Sequence, residues 1–272
     1  MTLPLLGRVA LITGVSRRQG IAYACAARLL AMGADVFVTH HRAHDEQQPW
    51  GADDLELVID GLRRVDPDRR IEHVGADLAD PVAPEEVMNA AAGAYGHVDI
   101  LLAVHAQSGQ DGPLADMTAA KLDSHWAVNT RSTIMLTKLF ADQHDGRDGG
   151  RVVWFTSGQH LGPMRDEIAY AASKAALAGV AASVADDLID RGILLNVINP
   201  GPVDTGYLDE DAGLYSPDQL VALKRLFPLH RFGEPEDVAR LVAFLVSDEG
   251  RWMSGQVLNT EGGFRRWGFL EG

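Results

Sequence analysis

Short runs of aliphatic and β-branched residues without polar alternation recur along this chain, each followed by a longer stretch of helical character. A strand that is apolar at every position is buried on both faces, so the intervening helices must cover both sides of one sheet. Strands are read at Arg8–Ile12, Asp35–Thr39, Ile71–Val74, Val98–Val104, Arg151–Phe155, Leu194–Ile198 and Gln256–Leu258. Helices are read at Ile21–Met32, Ala52–Val65, Pro84–Tyr95, Ala119–Gln143, Ile168–Arg191 and Pro235–Ser247. Repeated alternation with right-handed crossovers gives an α/β protein built on a single doubly wound parallel sheet. No repeat or Gly/Ser/Pro-rich linker divides it, so residues 1–272 are read as one domain. Two segments break the rhythm: a polar loop, Arg42–Gly51, and a long connection of which residues 204–228 are read as a lid over a ligand.

With 272 residues, 46% of them hydrophobic, the chain can bury a full core. Its formal net charge of −14 argues against nucleic acid or an anionic membrane as the main partner, so an anionic ligand needs a local basic site. The single cysteine, Cys25, allows no internal disulfide and makes a thiolate metal site improbable; no metal is expected. No basic, apolar leader precedes the first strand and no run of about 18 apolar residues occurs, so a cytoplasmic protein is expected.

The turn after the first strand, Thr13-Gly14-Val-Ser16-Arg17-Arg18-Gln-Gly20-Ile21, opens the first helix. Glycine permits close backbone approach and a helix N-terminus offers N–H donors, the requirements of a dinucleotide pyrophosphate site. The second strand ends Thr39-His40-His41-Arg42, without the acid that binds a ribose 2′-hydroxyl. Arg17 and Arg42 are candidates to clamp a 2′-phosphate, which favours NADPH over NADH.

Tyr170 and Lys174 lie four residues apart in a helical run, and such residues share a helix face. A free phenol titrates near 10, and a neighbouring cation would lower that value toward the range useful for acid–base catalysis.

In order along nearly the whole length come Thr13-Gly14…Gly20, Asp77-Leu78, Asn129, Ser157, Tyr170-x-x-x-Lys174, Asn199-Pro200-Gly201 with Thr205, and Ser254-Gly255-Gln256…Gly262-Gly263. The chain thereby resembles the short-chain dehydrogenase/reductase family, carbonyl-reducing type, similar to 3-oxoacyl-carrier-protein reductases. The resemblance implies a Rossmann-type fold with Tyr170 exchanging a proton with substrate and Ser157 polarising its carbonyl. Lys174 would bind the nicotinamide ribose and depress the tyrosine pKa, and Asn129 would hold a water linking Lys174 to solvent. Asp77 and Leu78 would sit at the adenine, Pro200, Gly201 and Val203 would line the nicotinamide, and Thr205 its carboxamide or the pyrophosphate. Gly14, Ser16, Arg17, Gly20, Ile21, His41 and Arg42 complete the expected cofactor site. Two departures stand out: Arg18 replaces the middle glycine, and Ala103-Val-His105-Ala-Gln107 replaces Asn-Asn-Ala-Gly. Gly20-Ile-Ala looks like the enoyl reductase branch, yet that branch spaces its Tyr and Lys seven apart and residue 167 is Glu.

His105, Gln107, Gln159, His160, Met164 and Tyr207 are candidates for the substrate wall, with no cation securely among them. That mixture points to a neutral, moderately polar ketone or alcohol, although a carrier-bound 3-oxoacyl group fits as well. The expected reaction is NADPH-dependent interconversion of a ketone and a secondary alcohol. Enoyl reduction and, less in keeping with an intact Ser, Tyr and Lys, a non-catalytic dinucleotide sensor are the alternatives. Alanine-rich faces at Ala175, Ala176, Ala181 and Ala182 suit close packing of helices between copies, so a homotetramer or homodimer is expected.

Overall fold

The computed structural model describes residues 3–208 and 214–267. Residues 209–213, inside the segment read as a lid, lie outside the described residues. The chain runs β1 (Val9–Ile12), α1 (Ile21–Ala31), β2 (Asp35–His40), α2 (Arg42–Asp45), α3 (Leu55–Arg63), β3 (Ile71–Gly75), α4 (Ala83–Tyr95) and β4 (Ile100–Ala103). It continues through α5 (Ala119–His125), α6 (Ser132–Gln143), β5 (Gly150–Phe155), α7 (Ile168–Ile189), β6 (Ile193–Asn199), α8 (Pro217–Lys224), α9 (Pro235–Val246) and β7 (Val257–Asn259). The strands form one seven-stranded sheet, ordered β3-β2-β1-β4-β5-β6-β7, with every pair parallel. The order reverses between β1 and β4, the topological switch point where open α/β sheets bind ligands.

Successive strand residues feed opposite faces, as the pleat requires. Ala10, Ile12, Val36, Val38, Ile100 and Leu102 pack under α1, α3 and α9. Val9, Leu11, Phe37, Leu101, Val152 and Trp154 pack under α4, α6 and α7. Unbroken apolar strands are therefore the direct consequence of two cores sharing one sheet. Residues Ile168–Ile189 have the length and mean hydropathy, 1.4, of a bilayer-crossing helix. In this fold Leu177, Ala181, Ala185 and Leu188 of that helix pack on the sheet.

Three elements differ from the sequence reading. The helix expected over Ala119–Gln143 is divided by a wide π turn, Trp126–Arg131, between α5 and α6. Hydroxyls there donate to main-chain carbonyls one turn back: Thr133 to Asn129 at 2.9 Å, Thr137 to Thr133 at 2.8 Å, and Ser132 to Val128. Such competition bends helices, and π turns concentrate at functional sites. The polar loop after β2 begins as α2, and the lid segment contains α8, started by a Ser216/Gln219 capping box. Leu208, Leu220, Leu226 and Phe227 of that segment form an apolar cluster with Phe232 just beyond it. Ala181, read as part of a face between copies, is turned into the core; Ala175 and Ala182 remain exposed.

Phe140, fully buried between α6 and the sheet, measures the second core. Phe140→Ala should lower the unfolding free energy by about 3–5 kcal/mol in urea titrations.

Candidate active site

The carboxyl ends of the central strands open onto a cleft of about 960 Å³. Its floor is the turn after β1. Gly14 has φ +80°, and a Cβ there would come within 2.9 Å of the His105 Cα, so both the conformation and the close approach require glycine. Thr13 Oγ1 lies 2.6 Å from His105 Nδ1, while His105 Nε2 lies 3.0 Å from the Val128 carbonyl and 2.7 Å from Ser132 Oγ. Burial, assisted by Lys174, pushes the imidazole down to about 3, so it is neutral: Nε2–H donates and Nδ1 accepts from Thr13. His105 is thus a fastening between β1, β4 and the π turn.

Ser16, Arg17, Gly20 and Ile21 line the cleft beside the N-terminus of α1. That helix has no side-chain cap and no acid in its first turn, leaving its N–H donors and favourable dipole for an anion. Arg18, in place of the middle glycine, turns outward; its main-chain N–H and Nε meet Asp53 at 2.8 and 3.4 Å. The substitution therefore leaves the place of close backbone approach clear. Asp77 and Leu78 line the cleft at the end of β3, and Asp77 also accepts from Ala79 N–H at 2.9 Å. Pro200, Gly201, Val203 and Thr205 line it after β6. These features fit a dinucleotide: an uncapped helix start, a glycine held flat against the neighbouring strand, and a long cleft spanning the switch point.

Arg42 does not join them. It forms an exposed i,i+4 pair with Glu46 at 2.9 Å, because α2 turns its side chain to solvent; His41 lines the cleft instead. Arg17 does face the cleft but is held by Asp45 at 3.2 Å.

Ser157, Tyr170 and Lys174 come together on the opposite wall. β5 ends just before Ser157, while α7 carries the other two on successive turns of one face. The start of α7 is fixed from a distance: Asp111 accepts from the N–H of Ala169 at 3.0 Å and of Tyr170 at 2.7 Å. Lys174 Nζ, fully enclosed, donates to the Phe155 carbonyl at 2.9 Å and lies 5.8 Å from the Tyr170 ring centroid. Burial pushes this ammonium down to about 7. Tyr170 moves the other way, up to about 12, through burial and the Glu167 charge, with only the Ser157 hydroxyl opposing. The expected depression of the phenol by Lys174 is therefore absent in the protein alone: the lysine is engaged by Phe155 and is itself driven toward neutrality.

Asn129 is fully buried in the π turn, and its amide is taken by protein groups, Gln107 N–H at 2.7 Å, Gln107 carbonyl at 3.2 Å and Ser173 Oγ at 2.9 Å. Through these contacts the side chain braces the β4 loop against α7. Of the substrate candidates, His105, Gln107, Met164 and Tyr207 line the cleft. Gln159 does not; its carbonyl accepts from Ser157 N–H at 3.1 Å and fixes the turn that presents the serine. His160 is exposed and turned away. Sequence reading missed Arg266, which reaches the substrate end so closely that a Cβ on Gly158 would lie 2.0 Å from its Nη2. Glu261 pairs with it, and Asn199 holds that carboxylate at 2.9 Å. Asp111 and Arg266 carry no local signal, since each acts on a segment 40 or more residues away, about which neighbouring residues say nothing.

Residues 14–265 match the family model described as enoyl-(acyl carrier protein) reductase. An uncharacterized oxidoreductase, YjdA, of Bacillus subtilis (strain 168) is 35% identical over 95% of this chain and 97% of its own. An NADPH-dependent aldehyde reductase-like chloroplastic protein of Arabidopsis thaliana is 31% identical over 96% of both chains. A short chain dehydrogenase from Burkholderia cenocepacia J2315, solved in complex with NADP, is 35% identical with a TM-score of 0.79, covering 96% of this chain and 98% of that one. With the switch-point cleft, the glycine turn and the Ser157–Tyr170–Lys174 wall in one sheet, this chain belongs to the short-chain dehydrogenase/reductase family of oxidoreductases.

Proposed function

We propose that the protein is an NADP(H)-dependent reductase interconverting a ketone and a secondary alcohol. The observation that carries the reading is the convergence of Ser157, Tyr170 and buried Lys174 on one wall of the dinucleotide-shaped cleft. The NADP bound by the Burkholderia relative and the NADPH dependence of the aldehyde reductase-like Arabidopsis relative support the cofactor. A reduced nicotinamide supplies a hydride when bound. Tyr170, raised to about 12, keeps its proton at neutral pH and is poised to donate it to a far more basic developing alkoxide. Ser157 Oγ–H donates to the same oxygen and polarises the carbonyl. Lys174, at the end of the wall, offers donors for ribose hydroxyls, and Asp111 keeps the phenol in register. Glu167, where the enoyl branch would carry its tyrosine, favours a carbonyl over an enoyl substrate.

Tyr170→Phe keeps the ring and should reduce turnover by about 10²-fold or more in an assay of ketones with NADPH. Ser157→Ala should lower turnover by about 10²-fold while leaving the NADPH dissociation constant unchanged. Retention of most activity by folded Tyr170→Phe would overturn the assignment. Activity on enones alone in a ketone-and-enone panel would favour enoyl reduction.

Lys174 titrates at about 7 in the folded protein against 10.5 unfolded. Unfolding therefore takes up a proton between those values, and stability should rise with pH across that window. Urea titrations between about pH 7 and 9.5 should show this rise in the wild type and lose it in Lys174→Met.

We also propose a homo-oligomer. Ala172, Ala175, Gly179 and Ala182 form an exposed smooth face on α7, and Leu122, Trp126 and Met135 are exposed on α5, the π turn and α6. Both surfaces suit close packing with a second copy. Sedimentation at micromolar concentration should give a dimer or tetramer, and a monomer would contradict this reading.

A further inference from the structure

The loop after β2 folds back over the cofactor end of the cleft. Asp45, the last residue of α2, meets Arg17 Nε at 3.2 Å, with the two side chains 9% and 14% exposed. Arg17 Nη1 donates to the Thr205 carbonyl at 2.8 Å, and its guanidinium lies 5.2 Å from the centroid of the Trp50 ring. Trp50 in turn stands 6.2 Å from Tyr207 across the cleft mouth. Among the described residues Arg17 is the one guanidinium lining this end, because Arg42 and Arg18 are paired outward with Glu46 and Asp53. His41 and His44 line the same end, and burial holds His44 below the usual imidazole value. Arg17 and Asp45 therefore form a balanced pair, one guanidinium against one carboxylate. A phosphate ester seeking Arg17 meets Asp45 at the same fork, where two anions compete for donors and repel each other in a partly dry setting.

We propose that Asp45 sets cofactor specificity as a positioning residue: it holds Arg17 in a neutral pair, so a 2′-phosphate gains the guanidinium only against that carboxylate. Strand β2 lacks an acid at its end, and the short helix after it supplies one from a different direction. The inference rests on the reading that the cleft takes a nicotinamide dinucleotide. NADPH and NADH differ only in the 2′-phosphate, so the ratio of their affinities isolates this effect from any general loosening of the loop.

Calorimetric titration of NADPH and NADH into wild type, Asp45→Asn, Arg17→Gln and the double variant tests it. Asp45→Asn should tighten NADPH at least about tenfold while NADH stays within about threefold, as expected for a freed charge-assisted contact. In the Arg17→Gln background the same change should no longer move the ratio. Asp45→Glu, which keeps the charge, should leave the ratio within about threefold of wild type. Equal shifts for both cofactors, or a loss confined to NADH because Asp45 itself holds the ribose hydroxyl, would overturn the proposal. Failure of the wild type to bind either cofactor would remove the dinucleotide reading, and this inference with it.

Discussion

The neutral imidazole of His105 is the contact on which the site depends. It ties Thr13 after β1 to Val128 in the π turn and to Ser132 at the start of α6, and its own backbone presses against Gly14. Three segments far apart in sequence thus share one buried, fully partnered ring. An imidazolium there would present a second donor to Thr13 and place a charge near Lys174, so the low affinity for a proton is part of what keeps the fastening intact. Once this seam is closed, the glycine turn faces the cleft floor and Asn129 is carried to where it braces Gln107 against Ser173.

The opposite wall is governed by the cost of burying charge. A lysine enclosed beside β5 is held by the Phe155 carbonyl, and the phenol beside it is pushed toward its neutral form. The protein alone therefore presents a protonated phenol and a weakly basic amine. For the reaction proposed above, that combination favours proton donation to an oxyanion over proton abstraction from an alcohol near neutrality. Charge at the rim is handled by pairing: Arg17 with Asp45, Arg18 with Asp53, and Arg266 with Glu261. A chain of net charge −14 thus arrives at a cleft with few uncommitted cations.

The sequence by itself determined the sheet, because uniformly apolar strands can only be covered on both faces, and the observed order places β1 beside β4 as that logic requires. It also put Tyr170 and Lys174 on one helix face, since an i,i+4 pair is a local geometry, whereas Ser157 was expected beside them only from the family resemblance. Only the tertiary structure decided the rest. Whether Arg42 or Asp45 faces the cleft depends on how the single turn of α2 tilts as it folds back, since residues three apart lie side by side on a helix and local pattern does not choose between them. The direction of the Tyr170 shift depends on which carbonyl captures Lys174 and how much water reaches either group. Asp111 and Arg266 act across long separations in the chain, so their roles exist only once the loops and the tail have packed, and pair distances of that kind leave no trace in local pattern.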